Sequence, residues 1–89
     1  MKLYEWNKEK NDKLKKERGL GFEEVVLKII NEEVLDIIAN PSQNYPNQKV
    51  YVIKINDYIY YVPHVEDKEK IFLKTIIPSR KATKKYINK

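Results

Sequence analysis

Two strand-like runs, KVYVIKI (residues 49–55) and YIYYVPHV (58–65), are separated only by Asn56-Asp57. β-Branched and aromatic residues dominate both runs, and the two-residue link is a tight-turn candidate. The rest of the chain must fit around this hairpin. A third run, IFLKTII (71–77), follows the polar EDKE and extends the hairpin into a meander. Pro63 cannot donate to a ladder and suits an edge or a bulge better than a central position.

Regular hairpins would set the register. Ile55 then pairs with Tyr58 and Val52 with Tyr61. With Glu66 to Glu69 as the second turn, Val65 pairs with Lys70 and Tyr61 with Lys74. One face carries Tyr51, Ile53, Ile55, Tyr58, Tyr60, Val62, Ile71, Leu73 and Ile77, and His64 shares its alternation near the sheet end. The other carries Val50, Val52, Lys54, Ile59, Tyr61, Pro63, Phe72, Lys74 and Ile76. The first face is expected to meet the core. The second is expected to face outward, where aromatic rings could stack on bases and lysines meet phosphates. Its bland counterpart is a solvated face whose lysines discourage edge pairing.

Helical periodicity supplies the covering layer. In GFEEVVLKII, residues Phe22, Val25, Val26, Ile29 and Ile30 recur at i, i+3, i+4, i+7 and i+8. Glu24 stands where a capping-box acid would, but Gly21 has no side chain to complete the box. Before it, Leu3 to Trp6 reads as a first strand, Asn7 as an N-cap, Lys8 to Arg18 as a charged helix and Gly19 as its left-handed end. VLDII (34–38) reads either as the end of the second helix or as a short strand. Asn40 to Gln48 is a loop, and residues 79–87 form a last short helix. The resulting order, β-α-α-(β)-β-β-β-α, is an α+β domain spanning residues 1–89, with antiparallel strands packed on N-terminal helices.

Eighty-nine residues suggest one domain with a shallow site. The net charge of +5 favours a polyanion or an acidic protein. With no cysteine, disulfides and thiolate metal sites are excluded. One histidine and no close carboxylate cluster argue against a metal site, and no motif calls for a cofactor. No apolar run has bilayer length and no signal-peptide core is seen, so the default expectation is a cytoplasmic protein with no membrane association.

Several stretches together resemble one family. YEWN (Tyr4 to Asn7), then Lys8, Asn11 and Lys16 through Gly19, then GFEEV (Gly21 to Val25), resembles the N-terminal pattern of BrnT-type toxins. Those have an aromatic-Glu-Trp-Asp segment, a lysine-asparagine helix ending in Lys-His-Gly, and a Phe-Glu-Glu helix. IIPSRKAT (Ile76 to Thr83) resembles their Ile-Ser-Ala-Arg-x-Ala strand end. The family's Lys-His-Gly is Glu17-Arg18-Gly19 here. Thr75, with Lys74 beside it, stands near the position of a further family arginine. Tyr, Lys and His64 occupy the region of the middle-strand arginines. The resemblance implies the toxin half of a type II toxin–antitoxin module, with a RelE-like fold and an antiparallel sheet of three to four strands. It also implies metal-independent RNA cleavage, a cognate antitoxin, and operator DNA bound through the antitoxin complex. The alternatives are a non-enzymatic nucleic-acid-binding (operator-binding) module and a simple protein-interaction domain.

Such cleavage needs a base for the 2′-hydroxyl, a cation at the phosphate and an acid for the leaving oxygen. Arg80, the motif residue that carries over, is the candidate phosphate cation; it reads otherwise as a surface ion pair to Glu66 or Asp67. His64 suits acid or base work and reads otherwise as structural. Lys74 is a candidate phosphate ligand, or a base if its pKa is depressed. Glu66 is an alternative base or a turn residue. Lys54, Tyr61, Lys81, Lys84 and Lys85 form the candidate RNA-binding surface, their bland counterpart being a solvated face.

Overall fold

The computed structural model describes residues 2–40 and 48–87. The expected loop at 40–48 falls mostly outside them. In order the elements are β1 (Leu3–Trp6), α1 (Lys8–Arg18), α2 (Phe22–Ile30), β2 (Val34–Ala39), β3 (Lys49–Ile55), β4 (Tyr58–Glu66), β5 (Lys70–Leu73), β6 (Ile77–Pro78) and α3 (Arg80–Tyr86). The ambiguous VLDII segment is thus a strand, set off from α2 by Glu32 in the left-handed region at φ 58°. The sheet runs β1-β5-β4-β3-β2, with β6 also pairing β4.

Both α1 caps are as read. The Asn7 carboxamide oxygen accepts from Lys10 N at 2.9 Å, and Gly19 closes the helix at φ 72°. The start of α2 is solved differently. Gly21 gives no side-chain cap, so buried Asn11 of α1 takes over: its Oδ1 accepts from Phe22 N at 2.8 Å. The same side chain donates to both Glu23 oxygens, at 3.1 and 3.0 Å. A β-carbon at Gly21 would lie 2.6 Å from Asn11 Oδ1, so only glycine admits this approach. The two helices are thereby joined, and Leu14, Leu20, Phe22 and Val25 pack on Tyr51, Ile53, Ile55, Val62, Ile71, Leu73 and Ile76. Ile30, expected on this apolar face, instead stays 63% exposed at the last turn.

Asn56 and Asp57 both take positive φ, 52° and 62°, matching the strand twist. Ile55 therefore pairs with Tyr58 and Val52 with Tyr61, as expected. The second hairpin is shifted by two residues, so that Val65 pairs with Phe72 rather than Lys70. Asp67 makes the difference: its Oδ1 accepts from Glu69 N and Lys70 N, both at 2.8 Å, which tightens the turn and leaves Glu66 in the strand. A shift of two preserves the faces.

Three expectations are corrected. Among the described residues the sheet has six strands, and it is mixed because β1 pairs parallel with β5 at the edge. The run 71–77 is not one strand. Pro63 O accepts from Lys74 N at 2.8 Å, and beyond that bond β4 changes partner from β5 to β6. Proline has no N–H for the ladder there. The detour at 74–76 inverts the alternation: Ile76 is buried in the core and Ile77 is 45% exposed, the reverse of the expected faces.

Third, the supposed outward face is partly covered. α3 packs over it, with Val52, Ile59 and Ala82 buried together and Ile38, Tyr61, Tyr86 and Ile87 around them. Ser79 Oγ caps the helix at Ala82 N, 3.1 Å away. Thr83 Oγ1 accepts from Ile59 N at 2.9 Å and donates to Ser79 O at 2.7 Å. The Ile59–Thr83 bond, with Ser79 N donating to Ile59 O at 2.9 Å, latches α3 to β4.

Candidate functional site

Strand alternation sends Tyr51, Val62, His64 and Glu66 to the face under α1 and α2, and the hairpin register sets Lys49 opposite His64. The His64 ring lies against Tyr51, with centroids 3.8 Å apart and planes 9° from parallel. His64 Nδ1 is 3.2 Å from Val62 O. A carbonyl only accepts, so Nδ1 carries the proton and Nε2 keeps a lone pair. Nε2 has no bonding partner among the described residues and is not sealed from solvent. His64 lines a groove, although the residue as a whole is only 1% exposed.

The groove encloses about 400 Å³ and is lined by Lys2, Lys49, His64, Glu66, Asp67 and Lys68. Burial holds the His64 pKa below its ordinary 6.5, against opposing effects of the Val62 carbonyl and Glu66. The imidazole is therefore neutral at pH 7. Burial also pushes the Tyr51 hydroxyl up to about 12, helped by Tyr4 and Glu66. The Lys2 ammonium donates to Glu66 and lowers its pKa. Lys49 and Lys68 form no ion pair among the described residues. Within one groove, then, lie a neutral base and two cations free to meet an anion.

The other expected site residues lie elsewhere. Lys74 follows Leu73, the ladder partner of His64, but its Nζ sits on the opposite face, 4.9 Å from the Phe72 ring centroid. Arg80 opens α3, exposed and without an ion pair among the described residues. Ser79 N bonds Ile59 O, and His64 is five residues further along β4, about 17 Å of strand. The alternative pairing of Arg80 with Glu66 or Asp67 does not occur: Glu66 takes Lys2 and Asp67 takes backbone amides. Lys54 pairs with Asp57 at 3.6 Å. Tyr61 is half-buried against the α3 cluster, and Lys81, Lys84 and Lys85 are exposed on α3. The structure does not gather Arg80, His64 and Lys74 around one phosphate.

No family model, curated protein or solved structure matches the chain. The site must be read from its own geometry. Lys2, Lys49, Lys68 and Tyr51 are the members that sequence reasoning did not assign. Lys49 was within reach, because the Asn56-Asp57 turn already sets it opposite His64. Lys2 arrives through the parallel β1–β5 pairing, which has no local signal. Among the described residues no group of His, Cys, Asp and Glu is placed to hold a metal ion, and no helix is long and apolar enough to cross a membrane.

Proposed function

We propose that this protein is an endoribonuclease toxin of a type II toxin–antitoxin module, acting without metal and neutralised by a cognate antitoxin. One observation carries the chemical part: the buried His64 imidazole, its Nδ1 against the Val62 carbonyl and its pKa lowered, lines one groove together with Lys49 and Lys68. The toxin part rests on the resemblance at both ends of the chain. In the reaction, His64 Nε2 takes the 2′-hydroxyl proton and that oxygen bonds to phosphorus. Lys68 and Lys49 stabilise the crowded phosphate. The bond to the 5′-oxygen breaks, and the Lys49 ammonium gives that oxygen its proton. The products are a 2′,3′-cyclic phosphate and a 5′-hydroxyl.

Expression of the chain alone is expected to arrest growth, with rescue by the neighbouring reading frame. The purified protein is expected to cut RNA in the presence of a chelator and to leave the 2′-deoxy analogue intact. Normal growth together with intact RNA would refute the reading. Salt-dependent RNA binding without products would leave a non-enzymatic nucleic-acid-binding module.

A further inference from the structure

α3 covers only part of the second sheet face. On the remainder, Leu3, Val65 and Ile77 are exposed and Phe72 is half-buried. They share this face because Leu3 pairs with Lys70, Phe72 with Val65, and Ile77 with Tyr61. Exposed apolar groups beside charge are a feature of interaction surfaces. The charge around it narrows the choice. Lys74 lies over the Phe72 ring and forms no ion pair among the described residues. Beyond it, a shallow hollow is lined by Lys74, Lys10 and Lys13 with Asn7 and Glu9. Glu5, the ladder partner of Phe72, is taken up by Lys70 at 3.4 Å, which leaves Lys74 as the unpaired charge at the ring among the described residues. A presented aromatic ring with an unpaired cation on it, on a chain of net charge +5, complements a polymer of flat bases joined by phosphates.

We propose that this open half-face binds single-stranded nucleic acid, with a base stacked on Phe72 and an adjacent phosphate held by Lys74. The proposal rests on the nucleic-acid part of the reading above but not on cleavage. It also gives an RNA strand a route to the chemistry. Val65 on this face and Glu66 in the groove are neighbours along β4. In the following turn, Lys68 lines the groove, and Lys70 then opens β5 on the open face. A strand crossing that turn passes from the stacking surface to His64.

The test is fluorescence anisotropy of a labelled twelve-nucleotide oligo-dT, with thermal melts of every variant. Oligo-dT has no 2′-hydroxyl, so binding is read whether or not the protein cleaves RNA. Phe72→Leu keeps apolar packing but removes the stacking ring, and is expected to weaken binding about fivefold or more. Lys74→Gln should reduce the slope of log affinity against log salt by about 0.7, the contribution of one phosphate contact on a single strand. Leu27→Ser, on exposed α2 surface, should bind as wild type does. Wild-type affinity in both Phe72→Leu and Lys74→Gln would overturn the proposal. So would a wild-type protein that ignores oligo-dT at low salt, which would leave the patch to a protein partner.

Discussion

The two faces of the sheet use their cations differently. Under α1 and α2, Lys49 and Lys68 border a groove with one buried imidazole, whose tautomer is fixed by the Val62 carbonyl. On the α3 side, Lys54 is tied to Asp57, Lys74 rests on Phe72, Lys85 lies over Tyr86, and Lys81 and Lys84 are exposed. The residue types are the same, but only the first face places cations beside a group that can move a proton. Burial and a fixed hydrogen bond make that difference, since a freely solvated histidine has neither a set tautomer nor a depressed pKa. The second face presents a half-buried aromatic ring and lysines with no proton-moving group beside them.

Replacing the base should separate the faces most. His64→Gln is expected to lower RNA cleavage by at least about a hundredfold, the scale of general-base loss. Oligonucleotide binding and a thermal melt measured alongside should show the protein still folded. A variant that cuts RNA at the wild-type rate would move the chemistry off the first face.

Two stability changes probe how each face is covered. Asn11→Ala removes the acceptor that Phe22 N uses in place of an N-cap and the amide donor to Glu23, which keeps its bond to Lys15 of α1 at 2.9 Å. It should cost about 2 kcal/mol in denaturant melts, because a buried N–H is left unpaired. Thr83→Val keeps its volume but removes the acceptor for Ile59 N, and should cost about 1 kcal/mol. If Thr83→Val proved the more damaging, α3 rather than the α1–α2 pair would be the dominant clamp on the sheet.

How far the sequence reaches follows the same division. The Asn56-Asp57 hairpin, the face carrying His64 and both α1 caps were legible, because each depends on neighbours in the chain. The Lys49–His64 juxtaposition follows from that hairpin register. The β1–β5 pairing was not legible: it joins segments more than sixty residues apart, and it alone delivers Lys2 to Glu66. Nor was the α3 cover, since RKATKKY offers little apolar periodicity and its docking depends on Thr83 bonding to Ile59. The inverted order of Ile76 and Ile77 comes from the ladder break at Pro63, which depends on which strand β4 pairs beyond that residue and so on contacts distant in the chain.

The smallest expected effect concerns Arg80. Arg80→Ala should change stability by no more than about 0.5 kcal/mol, as an exposed substitution. Cleavage should be left nearly unchanged, since the residue begins a helix on the opposite face from the groove. A large loss of cleavage with an unchanged melt would return the phosphate role to Arg80, as the strand-end motif suggests.

The most direct test of the central claim is the pH dependence of RNA cleavage by the wild-type protein. A base works only when neutral, so the rate should hold near pH 7 and fall as pH drops through the folded pKa of His64. Burial places that value below 6.5. The expected profile has an acid limb with its midpoint below 6.5. A limb centred above 6.5, or a profile with no acid limb, would contradict a buried neutral His64 as the base.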